Sequence, residues 1–122
     1  MLYFYPKDNT PGCTIEANEF NKNLSKIEEL GARVVGVSKD SIESHGKFRD
    51  KYGLSFLLLS DPTSEMIKAY GAYGNRGIFG MGTLRNTYII GNAGKIVKIF
   101  DKVNPRGHAK EVIDFLENEK VK

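Results

Sequence analysis

Short apolar runs alternate along the chain with stretches whose apolar residues recur every three or four positions. This is the pattern of an α/β layer fold in which strands and helices take turns. Met1 to Tyr5 is apolar and aromatic throughout, which predicts a strand covered on both faces. Pro6 to Gly12 contains Pro6, Asp8, Asn9, Pro11 and Gly12, a composition that ends a strand and turns the chain toward a helix. From Thr14 onward Phe20, Leu24, Ile27 and Leu30 keep helical spacing and Gly31 follows the last turn. That predicts one amphipathic helix with Cys13 at its start.

The alternation continues. Arg33 to Ser38 predicts a strand, Ser41 to Tyr52 a helix and Leu54 to Leu59 a buried strand. Asp61 to Tyr70 predicts a short helix opened by Asp61-Pro62. Such βαβ units imply parallel pairing. Gly71 to Gly82 holds five glycines and little helical period, so it reads as a mobile loop. Thr83 to Ile90 and Lys95 to Phe100 flank Gly91-Asn92-Ala93-Gly94 and predict an antiparallel hairpin. Arg106 to Glu119, with Val112, Ile113, Phe115 and Leu116 on one side, predicts a final packing helix.

A chain of 122 residues with no repeat, linker or low-complexity tract is one domain, and 40% hydrophobic residues suffice for a core. The net charge of +3 comes from basic residues scattered among acidic ones, which argues against a nucleic-acid partner. No apolar run is long enough to span a membrane, and Met1 is followed by Leu-Tyr-Phe-Tyr rather than a charged leader, so the expected compartment is the cytoplasm. Cys13 is the only cysteine, which excludes an intrachain disulfide and a Cys-x-x-Cys pair. His45 and His108 have no acid or thiol at metal-ligand spacing, so neither a metal nor another cofactor is expected.

The chemistry concentrates in Pro6-Lys7-Asp8-Asn9-Thr10-Pro11-Gly12-Cys13-Thr14. A thiol at a helix N-terminus meets unpaired backbone N–H groups and the positive end of the macrodipole, both of which favour the thiolate. One helix end contributes only about 1 kcal/mol, so a cationic side chain is needed as well. Thr10 can place a hydroxyl near the sulfur, and Pro6 and Pro11 stiffen the loop. A small buried hydrophobe is the competing reading of Cys13.

The stretch FYPKDNTPGCTIEANEF resembles the active-site segment of the peroxiredoxins, and specifically of the bacterioferritin comigratory protein (peroxiredoxin Q) subfamily. Pro6, Thr10 and Cys13 match the family's Pro-x-x-x-Thr-x-x-Cys pattern, with the subfamily's Gly12 and Glu16 in place. Similarity continues through VVGVSKDSIESHGKF, FLLLSD, LRNTYII and GHAKEVIDFL. The resemblance implies a thioredoxin-like fold, a mixed central sheet with helices on both faces, and a thiol-dependent peroxidase acting on hydrogen peroxide and organic hydroperoxides. It implies attack by the Cys13 thiolate on a peroxide oxygen, leaving a sulfenic acid. Donors from Thr10, Arg85 and the Cys13 amide would clamp the peroxide, and Arg85 would supply the missing cation. Glu16 reads equally well as a partner that orients Arg85 and as a first-turn acid facing the dipole, and Pro6 and Gly12 support the pocket.

Two departures stand out. Where many subfamily members carry a resolving cysteine, five residues after the first, this chain has Asn18, so reduction is left to an external thiol such as thioredoxin or glutaredoxin. The hairpin and strand that usually precede the LYFYPKD segment do not precede it here, so the domain is either a variant shortened at its N-terminus or part of a longer chain; in the first case a sheet edge is expected that dimerisation or strand exchange would cover. The alternatives are a catalytically impaired thioredoxin-fold binding protein and a peroxide-sensing thiol protein. Tyr3, Phe4, Phe79 and Tyr88 are candidates for an apolar wall beside the thiol, and Asp40, Glu43 and Asp61 read as helix caps.

Overall fold

The computed structural model describes residues 1–121, without the side chains of Phe79, Lys120 and Val121. Its elements are β1 (Leu2–Phe4), α1 (Pro11–Lys22), α2 (Leu24–Glu29), β2 (Val35–Ser38), α3 (Ile42–Tyr52), β3 (Leu57–Ser60), α4 (Glu65–Ala69), β4 (Tyr73–Asn75), β5 (Met81–Thr83), β6 (Thr87–Ile90), β7 (Ile96–Phe100) and α5 (His108–Val121). Five strands form one sheet in the order β3-β2-β1-β6-β7. The β1–β2 and β2–β3 pairs are parallel; β1–β6 and β6–β7 are antiparallel. This mixed sheet carries helices on both faces, as the thioredoxin-like expectation requires.

Side chains of β1 alternate between the two faces. Tyr3 and Tyr5 join Cys13, Ala17 and Phe20 of α1, Ile27 of α2, Phe48 of α3 and Val112 and Leu116 of α5 in the larger core. Phe4 points the other way, into a smaller core with Val37, Ile67 of α4, Ala72 and Tyr88. The two halves of the fold therefore meet at a strand buried on both sides, as its unbroken apolar run predicts.

Four expectations are corrected. The single helix after Cys13 is two, parted at Asn23, whose side-chain amide donates to the Glu19 carbonyl at 2.8 Å and competes with the helical ladder. The stop at Gly31 stands, with φ +87°. β3 is an edge strand rather than a buried one, and Leu57 is 52% exposed. Asp61-Pro62 forms a turn before α4 rather than its cap and first residue: Ser64 is the N-cap, and the Asp61 carboxylate accepts from the Ile67 amide at 2.8 Å. The glycine-rich Gly71–Gly82 stretch holds the β4–β5 hairpin, which also takes Thr83 out of the predicted strand.

Gly36 of β2 lies where a Cβ would be 2.9 Å from the Leu58 side chain and 3.0 Å from the Tyr3 ring. Gly36→Ala should therefore destabilise the fold by about 1–3 kcal/mol. Urea denaturation measures it, and an unchanged midpoint would contradict this packing.

Candidate active site

β1 ends because Pro6 has no N–H to continue the ladder; the Tyr5 amide makes the last bond, to Val37 at 3.1 Å. The chain turns through Asn9, whose φ of +61° suits asparagine, and enters α1 with Thr10 as an extended N-cap and Pro11 as first helical residue. Thr10 does not cap with its side chain. Its hydroxyl donates to the Lys7 carbonyl at 2.8 Å, so Oγ1 presents lone pairs rather than a free proton to its surroundings. The proton that the expected donor role would use is thus engaged with the loop backbone. The amides of Gly12 and Cys13, at the positive end of the helix, are therefore left without a capping bond from Thr10.

Cys13 is the third residue of α1, a free thiol only 1% exposed and packed in the larger core. Arg85 reaches this turn from the segment between β5 and β6. That segment is fixed by the Phe4 amide donating to the Asn86 carbonyl and the Val103 amide donating to the Arg85 carbonyl, each at 2.8 Å. Arg85 Nη1 donates to Glu16 Oε1 at 3.2 Å, and a Cβ on Gly12 would lie 2.6 Å from Arg85 Nη2. The guanidinium thus lies against the first turn of α1. Residue 12 is a glycine because a side chain would occupy the guanidinium's place.

Glu16 is 1% exposed and, among the described residues, its second oxygen has no hydrogen-bond partner. Burial pushes its carboxyl up to about 7, with the charge and hydrogen bond of Arg85 pulling the other way. The structure favours the partner of Arg85 over the first-turn acid.

Beside Arg85 opens a cavity of about 300 Å³, lined also by Asn75, Arg76, Leu84, Lys102 and Val103. Asn75 and Arg76 of the Gly71–Gly82 segment thus line the cavity beside Arg85. Phe4 and Tyr88 face the opposite core and form no wall for the thiol, whereas Tyr3 shares the thiol's core; the Phe79 side chain lies outside the described residues.

Sequence reading missed a second polar cluster at the same end of the sheet. Asp8, Asp40 and His45 bring ligand atoms within 4.8 Å of one another. Tyr5 and Ser44 donate to Asp8, while Ser38 and the Asp8 amide donate to Asp40. Asp40 does not cap α3, a role filled by Ser41, whose hydroxyl oxygen accepts from the Ser44 amide at 3.1 Å. The available signal was positional: an acid after β1 and a histidine one turn into the helix after β2 lie at the same end of parallel strands.

The family model described as AhpC/TSA matches residues 1–99. The Peroxiredoxin Bcp of Bacillus subtilis is 41% identical over 97% of this chain and 77% of its own length. Among solved structures, a Xylella fastidiosa PrxQ mutant superposes with a TM-score of 0.93 at 41% identity, covering 97% of this chain and 75% of that one. A Xanthomonas campestris bacterioferritin comigratory protein, studied for alkyl peroxide reduction, superposes with a TM-score of 0.92 at 36% identity, covering 98% and 78%.

Gly12→Ala should push the flexible end of Arg85 aside, slowing the reaction of Cys13 with hydrogen peroxide about tenfold or more. Stability should hold or rise by up to about 1 kcal/mol, because alanine is the better helix former. Stopped-flow oxidation and thermal melting check both; a wild-type rate would contradict the contact. Glu16 supplies a pH test. Between its ordinary value and about 7, the folded protein keeps a proton the unfolded chain has released, so stability falls as pH rises through that window. The loss is at most about 3 kcal/mol. Urea denaturation at about pH 5 and about pH 7.5 should show Glu16→Gln losing less stability than wild type across the interval. Equal losses would contradict the assignment.

Proposed function

Because the chain belongs to the AhpC/TSA family and is a thiol-dependent peroxidase of the bacterioferritin comigratory protein, or peroxiredoxin Q, kind, we propose that Cys13 is its peroxidatic cysteine and that Arg85 and Thr10 hold the peroxide. One observation carries this: the only thiol of the chain, two uncapped amides and a guanidinium converge on one helical turn.

The Cys13 thiolate attacks the terminal oxygen of the peroxide in line with the O–O bond. An S–O bond forms, the O–O bond breaks, and its electron pair leaves on the second oxygen, which takes a proton to become water or an alcohol. Arg85 and the Cys13 amide stabilise the negative charge as it moves from sulfur to the leaving oxygen. Thr10 Oγ1, its own proton given to Lys7, accepts the O–H of the peroxide and orients it. Glu16 keeps the guanidinium from swinging away from α1, and Pro6 ends β1 where the loop must begin.

The cavity beside Arg85 has apolar lining from Leu84 and Val103, which suits the alkyl group of an organic hydroperoxide as well as hydrogen peroxide. With Cys13 the only cysteine, the sulfenic acid is reduced by an external thiol. That thiol forms a mixed disulfide with release of water, and a second thiol frees Cys13. The reductant we assign is of the thioredoxin or glutaredoxin class, and the compartment is the reducing cytoplasm, where a lone thiol persists.

Titration with hydrogen peroxide followed by intact mass should add one oxygen per chain at Cys13, removed again by a thiol. A binding protein would add none rapidly, and a sensor would retain a lasting mixed disulfide. Cys13→Ser should abolish the reaction, and Arg85→Ala and Thr10→Val should each slow it about a hundredfold while the chain stays folded. A wild-type rate in Arg85→Ala would overturn the role given to Arg85.

A further inference from the structure

The loop that carries Thr10 is held from the side of α3. Asp8 accepts from the Tyr5 hydroxyl at 2.6 Å through one carboxylate oxygen, and from Ser44 at 2.9 Å and His45 Nδ1 at 2.7 Å through the other. Next to it, Asn9 Oδ1 accepts from Lys51 and Tyr52, each at 3.3 Å. His45 is buried, and its Nε2 lies 2.9 Å from the Leu59 carbonyl of β3. A carbonyl only accepts, so Nε2 bears a proton; the Asp8 carboxylate collects donors, so Nδ1 bears one too. The ring is an imidazolium fixed between a strand and the loop.

The groups around it agree. Burial alone would lower the His45 value, but the Asp8 hydrogen bond and charge, the Leu59 carbonyl and the Asp40 charge outweigh it and leave it raised. Burial alone would raise Asp8, and the hydrogen bonds from His45, Tyr5 and Ser44 bring it below its ordinary range. The other charged groups nearby are Glu43, Lys47 and Lys51, which border the opening beside Asp8, and Arg49, which borders the opposite side of His45.

Resting on the peroxidase reading, we propose that His45 is a positioning residue: through Asp8 it fixes the loop that presents Thr10 to the peroxide, and its release opens that loop so that the external thiol reaches the Cys13 sulfur. The 1% exposure of Cys13 makes such an opening necessary, because a thiol reductant is larger than a peroxide and must contact the sulfur itself. Oxidation needs the clamp closed and reduction needs it open, so weakening it slows one and speeds the other. The pair is complete below the raised His45 value and above the lowered Asp8 value. As pH rises through the former, a neutral ring donates to Leu59 or to Asp8 but not to both, and the loop loosens.

The test uses the full chain with His45→Gln and Asp8→Asn. Three quantities are read: single-turnover oxidation of Cys13 by hydrogen peroxide, reduction of the oxidised form by dithiothreitol, and amide hydrogen exchange across residues 8–14. Each variant should oxidise about tenfold more slowly, reduce several-fold faster and exchange about tenfold faster than wild type. Wild-type exchange, corrected for its intrinsic pH dependence, should rise through the His45 titration and stay flat in Asp8→Asn. Ser44→Ala, which removes one neutral donor, should move all three in the same directions by less, and serves if the other variants do not fold. Unchanged exchange, or oxidation and reduction slowed together, overturns the proposal. If wild-type Cys13 fails to react with peroxide, the peroxidase reading is what fails. The exchange data then still decide whether His45 clamps the loop.

Discussion

A guanidinium lying on the first turn of a helix organises this molecule. Arg85 and Glu16 are 69 residues apart, and the sheet brings them together. β1 leads into the loop before α1, and β6 runs antiparallel beside it with Thr87 opposite Tyr3, so the start of β6 and the end of β1 share one end of the sheet. Arg85 therefore arrives where α1 begins. Its place requires a glycine at residue 12 and a counter-charge at residue 16. Glu16 supplies that charge in a dry site that pushes its carboxyl up to about 7 and leaves one oxygen unpartnered. Hydrophobic packing alone would not select such a residue; fixing the direction of Arg85 accounts for it.

The same end of the sheet holds the loop from its other side. β1 and β2 are parallel, so Tyr5, Ser38 and Asp40 come together there, and α3 adds Ser44 and His45. Cys13 sits in the helix that starts between the two networks. In the proposed mechanism one network acts on the reacting atoms through Arg85, and the other acts on the loop through Asp8. On that proposal, the geometry for oxidation and the opening for reduction are set by different residues.

The local part of the site was legible in the sequence because Pro6, Thr10, Gly12 and Cys13 fall within eight consecutive residues, each with a stated conformational role. Arg85 came from family resemblance, since nothing near it in the chain marks it. Glu16 fits two roles equally well by its place in the sequence, and only its 3.2 Å bond to Arg85 separates them. The Asp8–His45 pair, 37 residues apart, was hidden because either residue alone is ordinary in a turn or on a helix. Strand and helix order was readable from periodicity. The break at Asn23, the β4–β5 hairpin among glycines and the exposure of β3 were not, because side-chain competition and sheet position decide them.

The account rests on Arg85 acting from its seat on Gly12, and a double-mutant cycle of Gly12→Ala with Arg85→Ala, read as the second-order rate of Cys13 oxidation by hydrogen peroxide, tests that most directly. If the seat matters only through the guanidinium, Gly12→Ala has no further effect once Arg85 is alanine. Full additivity of the two substitutions would contradict it.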